Sequence, residues 1–371
     1  MTPPITRSAV VLTSLALAAV LSSCTAPAAE PRESVLSSPT TPAGTGAATA
    51  VLDGSSVVTA GLEAPWSIVF RGGTPLVSER DSGRILELAS DGSTRPIGTV
   101  DGVVSRGESG LLGLAVDDEG RLYAYSTGSD GNRIQRFDVT GEPGALALGG
   151  SETILDGLPS ASYHDGGRIA FGPDGMLYAT VGDAGRTERA QDLDSLGGKI
   201  LRMTPDGAVP EDNPYPGSLV YSSGHRNPQG LAWAEDGTLF ATEFGQDTWD
   251  ELNIIRPGED YGWPTVEGAA GDDRFVDPVQ QWTPDEASPS GMAEVDGTLF
   301  LANLRGQVLR AVPVADPTTW TDHAVGEFGR LRDAAEAPDG SLWVATSNTD
   351  GRGDPGDDDD RIIGFDVASA G

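Results

Sequence analysis

The sequence predicts an all-β protein, folded as a six-bladed β-propeller of four-stranded antiparallel blades. Two strand signals alternate along residues 51–371, and no long helical periodicity interrupts them. The 371-residue chain is 38% apolar, which is enough for a sizeable core. Propellers of this length commonly form one unit, so residues 51–371 are interpreted as a single domain.

The first strand signal is a glycine, usually followed by a small or polar residue, and then apolar or aromatic positions. It recurs about once per 50 residues, as propeller blades do. Its copies begin at Gly73, Gly120, Gly175, Gly237, Gly297 and Gly340. Four of these glycines follow an aspartate, and Asp-Gly is typical of a tight hairpin that needs a positive φ.

The second strand signal follows each copy of the first and mostly alternates apolar and polar residues, as half-buried strands do. Its copies begin at Arg84, Arg133, Lys199, Asn253, Gln307 and Arg361. Six matched pairs predict six blades around one axis. A β-sandwich array is the alternative, but it does not explain the pairing. Residues 51–60 are predicted to supply a strand that closes the ring with the C-terminal blade.

The first 50 residues differ in composition from the rest of the chain. Residues 1–24 combine Arg7, an apolar stretch and small residues before Cys24, which together indicate a secretory signal. Cys24 resembles the lipidated cysteine of a bacterial lipobox, although an ordinary signal peptide with an incidental cysteine is the alternative. Residues 25–50 are rich in Ala, Pro, Ser and Thr and are predicted to be a flexible tether. We therefore expect an exported protein with a lipid anchor in the cell envelope, facing the extracytoplasmic side.

Charge and cysteine content exclude several classes of function. The chain has 56 Asp and Glu against 24 Lys and Arg, a formal net charge of −32. Like charges repel, so general binding to nucleic acid or to an anionic membrane surface is disfavoured. The single Cys excludes a disulfide framework and a cysteine-based zinc site.

Two of the three histidines lie in polar, glycine-rich stretches between strand signals. His164 precedes Asp165, and His225 precedes Arg226 and Asn227. A histidine near a carboxylate on a rigid loop can serve as a general base, because the carboxylate fixes its tautomer. A single histidine more often has a structural role, so the spacing leaves both the catalytic and the structural role open. The Arg-Asn pair before a proline presents donors to an anion or carbonyl, unless the arginine pairs with a neighbouring Asp.

Three further arginines point to an anionic ligand. Arg330 and Arg332 are two residues apart on a predicted strand and therefore share a side, and Arg305 lies between two strand signals. In so acidic a chain, arginines on the loops of one face indicate a polyanion site, the alternative being local ion pairs. Residues 243–251 combine carboxylates with glycine-bent carbonyls, a donor set that suits Ca²⁺.

Taken together, these stretches resemble the glucose/sorbosone dehydrogenase family, the soluble quinoprotein aldose dehydrogenases that use pyrroloquinoline quinone (PQQ). The matching phrases occur in family order and cover most of the predicted propeller. They are Pro65-Trp66, Gly107–Gly113, His164–Ile169, Gly172–Gly175, Gly182-Asp183, Gly197–Ile200, Gly224–Gly230, Asp250–Asn253, Tyr261–Pro264 and Arg330–Asp333. The family fold is a six-bladed propeller, in agreement with the independent repeat count.

The resemblance implies a role for each matching position. His164 corresponds to the general base that takes the proton of the sugar's anomeric hydroxyl while hydride passes to PQQ, and Asp183 orients it. Arg226 corresponds to a donor that stabilises charge on the reduced quinone. The cofactor contacts implied are Glu108, His164, Arg226, Asn227, Arg305, Arg330 and Arg332. Arg305 matches only across a one-residue gap, and Glu108 stands where some members have Gln.

The resemblance also implies calcium and a reaction. Gly245 and Gln246 match the residues whose backbone carbonyls hold the cofactor's Ca²⁺, although Gln246 replaces a common Pro. Asp250, Glu251 and the Tyr261 carbonyl match a structural Ca²⁺ site of some members. The expected activity is oxidation of an aldose to its lactone, with an external electron acceptor. The alternatives are a non-catalytic propeller that binds sugar or protein, and a calcium-dependent lactonase. The sequence does not distinguish a monomer from a dimer.

Overall fold

The computed structural model describes residues 50–368, which form six four-stranded antiparallel sheets. The predicted six-bladed propeller is therefore confirmed. Thr187–Ala190 is a 3₁₀ helix and the only helix in the described part of the chain. No helix between residues 50 and 368 has the length and apolar character to cross a membrane. The predicted signal with Cys24, and the tether as far as residue 49, lie outside the described residues.

The strands run without interruption by longer helices. In chain order they are β1 (Val51–Thr59), β2 (Pro65–Arg71), β3 (Thr74–Glu79), β4 (Arg84–Leu88), β5 (Thr94–Thr99), β6 (Leu111–Val116), β7 (Leu122–Gly128), β8 (Gly131–Thr140), β9 (Ala147–Leu158), β10 (Ile169–Phe171), β11 (Leu177–Val181), β12 (Lys199–Met203), β13 (Val220–Ser223), β14 (Pro228–Trp233), β15 (Leu239–Glu243), β16 (Asp250–Ile255), β17 (Gln280–Trp282), β18 (Pro289–Val295), β19 (Thr298–Asn303), β20 (Leu309–Pro313), β21 (Thr321–His323), β22 (Leu331–Glu336), β23 (Leu342–Thr346) and β24 (Ile362–Ala368). Five blades use four consecutive strands, and the sixth combines β22, β23 and β24 with β1.

The two strand signals form the second and third strands of the blades. In the fourth blade they form β15 and β16, which pair antiparallel from Leu239 opposite Ile255 to Glu243 opposite Glu251. Gly237 in the preceding turn has a φ of +88°, the backbone conformation that an Asp-Gly hairpin accommodates without strain.

The ring closes where it was predicted to close. β1 pairs antiparallel with β24, from Val51 opposite Ala368 to Thr59 opposite Ile362, so the first and last described strands share one blade. Ala50 is buried, and its N–H donates a hydrogen bond of 2.9 Å to the Thr298 hydroxyl. Ala50, which was predicted to belong to the tether, therefore packs against the propeller.

The core lies between neighbouring blades. One cluster packs Leu112 and Tyr125 of the second blade against Ile169 and Val181 of the third. Five further clusters occupy the other junctions between blades. Each fully buried large aliphatic side chain stabilises the fold by about 1.5–3 kcal/mol, so the interfaces hold the ring rigid.

The predicted site residues other than Tyr261 and Cys24 lie in loops or at strand ends at one end of this ring. In a four-stranded antiparallel blade, the turn between the second and third strands lies at the same end as the connection to the next blade. Loops 100–110, 159–168, 182–198, 224–227 and 244–249 all belong to these two classes. The rigid blades thus carry one continuous loop face, where functional side chains commonly lie.

Candidate active site

His164 and Asp183 form a pair on the loop face. Nδ1 of His164 lies 2.7 Å from Oδ1 of Asp183. An ionised carboxylate only accepts hydrogen bonds, so Nδ1 carries the proton and Nε2 keeps a free lone pair. His164 has a φ of +61°, which is unusual for a residue other than glycine. The loop passes so close to Gly182 that a Cβ there would lie 2.0 Å from the His164 carbonyl oxygen.

The carboxylate of Asp183 is fully buried and holds three donors. Besides His164, Oδ1 accepts a hydrogen bond of 2.7 Å from the Gly185 N–H, and Oδ2 accepts one of 2.9 Å from the Trp263 indole. Burial by itself raises the pKa of this carboxyl, but the donors outweigh it and hold the pKa of Asp183 below its ordinary value. Asp183 is therefore an anion that orients and supports the imidazole.

Glu108 and Asn227 border the histidine. The backbone N–H of His164 donates to Oε2 of Glu108 at 2.9 Å, and Nδ2 of Asn227 donates to the same oxygen at 3.4 Å. Asn227 is buried, and its Oδ1 accepts a hydrogen bond of 3.0 Å from the Gly166 N–H. The structure thus joins four of the predicted residues, His164, Asp183, Glu108 and Asn227, in one network.

Three of the predicted arginines lie buried or partly buried in the loop face with unused donors. The Nε atoms of Arg226, Arg330 and Arg332 are buried and have no hydrogen-bond partner within residues 50–368. Arg330 pairs with Asp350 at 3.2 Å, and the same carboxylate lies 3.8 Å from Arg332. One carboxylate cannot neutralise two guanidinium groups, so this part of the site keeps excess positive charge.

Burial makes that excess positive charge unfavourable in the absence of a partner. Desolvation lowers the pKa of Arg332 to about 9, and it also lowers the pKa of Arg226, although Asp183 and Glu243 lie nearby. An anionic ligand with several acceptors would both pair the unused N–H groups and restore favourable electrostatics.

Arg305 differs from the other predicted arginines. Its side chain is 55% exposed and forms an ion pair with Asp285, whose side chain is 82% exposed. Exposed ion pairs of this kind contribute about 0–1 kcal/mol. The structure does not join Arg305 to the buried arginines, which matches the local-pair alternative considered for such residues.

Some polar and aromatic residues near the site were not predicted from the sequence. Arg168 is buried over the Trp66 ring, with its guanidinium carbon 4.3 Å from the ring centre, and it pairs with Asp333 at 2.9 Å. Both Arg168 and Trp263 lie within the family-like phrases but were assigned no role. Asp350 follows β23 in a loop without any motif, so only the folded chain reveals it beneath Arg330.

The loop at Gly245 and Gln246 encloses a carboxylate. Oε1 of Glu267 accepts hydrogen bonds from the N–H groups of residues 246–249, at 2.7 to 3.1 Å. The N–H of Gly245 donates to Asp250 at 2.9 Å instead. The N–H groups of this loop are bound to carboxylates. Its backbone carbonyls are therefore the groups that could bind a cation. Glu267 was not predicted, because it lies about 20 residues after the Gly245 loop in the sequence.

The side chains of Asp250 and Glu251, both predicted for the structural Ca²⁺ site, lie in different settings. They are consecutive residues of β16, so their side chains point to opposite faces of the blade. Asp250 accepts hydrogen bonds from Gly245 and Ser288, and burial raises its pKa to about 6. Glu251 instead borders a small cavity of about 10 Å³ with Tyr261, a setting different from that of its neighbour.

The cavity beside Glu251 is rich in carboxylates. Glu243 and Glu267 line it as well, and Arg226 is the only cationic side chain in the lining. Burial and the nearby Glu243 raise the pKa of Glu251 to about 8. Within residues 50–368, no cluster of three or more His, Cys, Asp or Glu has the geometry to hold a metal by side chains alone. A cation here therefore needs backbone carbonyls, such as that of Tyr261.

His225 occupies a different environment from His164. It is fully buried and stacks on Tyr261 with ring centres 4.8 Å apart. Nδ1 lies 2.8 Å from Glu243, and Nε2 lies 2.8 Å from the Ser222 hydroxyl. Both ring nitrogens are thus occupied by protein, which leaves this histidine a structural role.

Comparison with known proteins identifies similar sequences and a similar fold. The chain is 48% identical to the aldose sugar dehydrogenase of Streptomyces coelicolor, whose PQQ-bound structure matches with a TM-score of 0.82 over 86% of this chain and 99% of that chain. It is 29% identical over 335 residues to the aldose sugar dehydrogenase YliI of Escherichia coli, covering 78% of this chain and 89% of that protein.

A third relative is quinoprotein glucose dehydrogenase B of Acinetobacter calcoaceticus. The two are 32% identical over 284 residues, which is 66% of this chain but only 57% of that protein. The family model described as Glucose / Sorbosone dehydrogenase matches residues 62–353, from the start of the first blade into the last. With a propeller fold, a loop-face His–Asp pair and this match over most of its length, the chain belongs to the glucose/sorbosone dehydrogenase family.

Proposed function

We propose that this protein is a PQQ- and calcium-dependent dehydrogenase that oxidises an aldose at its anomeric carbon to the lactone. The observation that carries the proposal is the state of His164. Its Nδ1 is committed to a buried anionic Asp183, while Nε2 is free on a partly exposed ring. That is the arrangement of a general base facing a substrate.

The residues around His164 suit PQQ, a flat tricarboxylate. Arg226, Arg330 and Arg332 have buried, unpaired guanidinium N–H groups, and such groups are the natural partners of carboxylate and quinone oxygens. Together with Asn227 and Glu108 they would hold the cofactor beside the histidine. When bound, PQQ supplies the two-electron acceptor that the protein side chains lack.

The chain's own groups supply the proton chemistry. Nε2 of His164 would accept the proton of the anomeric hydroxyl as the C1 hydride leaves, and Asp183 would stabilise the resulting imidazolium through Nδ1. The Arg226 guanidinium lies in the same loop face and would stabilise negative charge that develops on a bound acceptor. The buried carboxylate keeps its charge throughout, since its donors favour the ionised form.

Calcium is the second proposed component. The carbonyls of Gly245 and Gln246 are proposed to hold an ion at the cofactor, with a Lewis-acid role there. Glu251 and the Tyr261 carbonyl are proposed to hold a structural ion. Support comes from the carboxylate-lined cavity, where the chemistry of the donors calls for a cation. Asp250 stays in the proposal as a group that shapes the Gly245 loop rather than as a ligand shared with Glu251.

The proposal is tested by titrating the purified protein with PQQ in excess Ca²⁺ while following dye reduction with a panel of aldoses. Saturable activation that a chelator abolishes would support it and would rank the substrates. Tight PQQ binding with no turnover on any aldose would favour the non-catalytic binding propeller. No PQQ binding at all would contradict the cofactor assignment.

We also propose that the protein is exported and anchored through lipid on Cys24, so that it passes electrons to an external acceptor. The support is the lipobox-like position of the only cysteine. Labelled fatty acid should be incorporated by the wild type and not by Cys24→Ala, which should appear in the soluble fraction. Equal labelling of both would contradict the anchor.

A further inference from the structure

Trp263 is the third residue bound to the carboxylate of Asp183. Its indole N–H donates to Oδ2 at 2.9 Å, and the indole is nine-tenths buried. His164 and Gly185 both use Oδ1, so Trp263 is the only donor found on Oδ2 within residues 50–368. The two carboxylate oxygens therefore have distinct partners.

This pairing is not an automatic result of burying a tryptophan. The indole nitrogen of Trp282 is also buried and has no hydrogen-bond partner in the described part of the chain. Trp282 lies beneath Arg310, at 4.6 Å, much as Trp263 lies beneath Arg226, at 5.6 Å. The fold thus tolerates a buried indole without an acceptor, and the bond to Asp183 is a specific feature of Trp263.

The bond constrains how the carboxylate can turn. If Asp183 rotated about its Cβ–Cγ bond, both the indole and the imidazole would lose their acceptor, and a buried donor without an acceptor is unfavourable. No water can substitute freely, because the side chain of Asp183 is fully buried. Trp263 therefore keeps Oδ1 directed at Nδ1 of His164, which in turn fixes where Nε2 points.

The tryptophan is itself held from two sides. Its backbone N–H donates to the Gly224 carbonyl at 2.9 Å. Nε2 of Gln191 donates to the Trp263 carbonyl at 2.9 Å and to Oδ1 of Asp260 at 2.8 Å. Gln191 belongs to the same loop as Asp183, so the loop and the tryptophan position each other.

We infer that Trp263 is a positioning residue for the general base: its indole N–H locks the carboxylate of Asp183 so that His164 presents Nε2 in one orientation. The inference rests on the proposed dehydrogenase function. It concerns a residue that acts on the base through Asp183, while its ring also lies against Arg226, a contact that another aromatic ring can keep.

The test is Trp263→Phe, which removes the N–H and keeps an aromatic ring. The expected result is a fall in kcat of at least about tenfold, the rate equivalent of a lost hydrogen bond to a charged group, with the KM for sugar changed less than about twofold. Trp233→Phe is the matched control. Trp233 ends β14 at the far end from Asn227 and packs edge-on against Tyr178, so its variant should keep wild-type kcat.

A second readout needs neither cofactor nor turnover. The chain has three histidines, so ¹⁵N-histidine labelling of the full chain without PQQ gives few imidazole signals. The Nδ1–H signal of His164, assigned by its loss in His164→Ala, should shift or broaden in Trp263→Phe. The corresponding signal of His225 against Glu243 serves as the internal reference and should be unchanged.

The outcomes separate the inference from the proposed function. An unchanged His164 signal together with an unchanged kcat would overturn the inference, and so would a fall in kcat that is explained by weaker PQQ binding with an unchanged signal. A wild type without dehydrogenase activity would overturn the proposed function, while the imidazole signal would still decide the positioning. If Trp263→Phe fails to fold, Gln191→Leu, at an exposed position, should give the same signal change and a smaller fall in kcat.

Discussion

His164 and His225 each place Nδ1 against a buried carboxylate, 2.7 Å from Asp183 in one case and 2.8 Å from Glu243 in the other. The difference lies at the second ring nitrogen. Nε2 of His225 meets the Ser222 hydroxyl, whereas Nε2 of His164 has no protein partner within residues 50–368. The same local motif therefore serves structure in one loop and leaves a proton acceptor in the other. The open ring nitrogen, rather than the histidine–carboxylate motif, is the reason for proposing His164 as the general base.

The sharpest test of this comparison is His164→Ala. Turnover should fall about 10²- to 10⁴-fold, the usual contribution of a general base, while PQQ binding is largely retained. Steady-state dye reduction and a PQQ titration on the same preparation measure both. The comparison would be broken if His164→Ala kept full turnover.

The same comparison of paired with unpaired nitrogen atoms applies to the arginines. Arg330→Gln removes a buried group with an unpaired Nε, so the Kd for PQQ should rise about 10- to 100-fold. Arg305→Gln removes an exposed group that already pairs with Asp285, and its Kd should stay within about twofold of wild type. Equal losses for both variants would place Arg305 in the site after all.

The structural role of His225 is tested by measuring protein stability. His225→Ala leaves Ser222 and Glu243 without their buried partner, so the free energy of unfolding should fall by about 1–3 kcal/mol. His164→Ala should cost less, because Asp183 keeps its Trp263 and Gly185 donors. Denaturant unfolding of the two variants at neutral pH gives the ranking, and the reverse order would contradict it.

The smallest expected effect is a change with pH. The pKa of Asp183 is lower in the folded protein than its ordinary value of 3.8, so the unfolded chain binds its proton first as pH falls. The stabilisation from the ionised group is complete well above pH 3.8 and is lost as pH drops through the folded pKa. The stability advantage of wild type over Asp183→Asn should therefore shrink in acid. Urea unfolding between neutral pH and pH 3 measures it, and a constant difference would argue against an ionised, stabilised Asp183.

Much of the site was predictable because it lies in short phrases. His164, Asp183, Arg226, Asn227, Arg330 and Arg332 stand at positions read from the sequence, and the fold gathers them on one loop face. Residues such as Asp350 were not predictable, because a neutralising carboxylate can come from any loop that reaches the site. Nor did the adjacency of Asp250 and Glu251 reveal that β16 sends them to opposite faces.

The sequence by itself determined the number of blades, the strands within each and the closing of the ring by residues 51–60. Those features follow from local periodicity and turn chemistry, which every copy of the repeat expresses again. Only the tertiary structure decided which polar atoms remain unpaired. Partners such as Trp263 for Asp183, Ser222 for His225 and Asp285 for Arg305 are set by how separate loops meet, and no local pattern encodes that meeting.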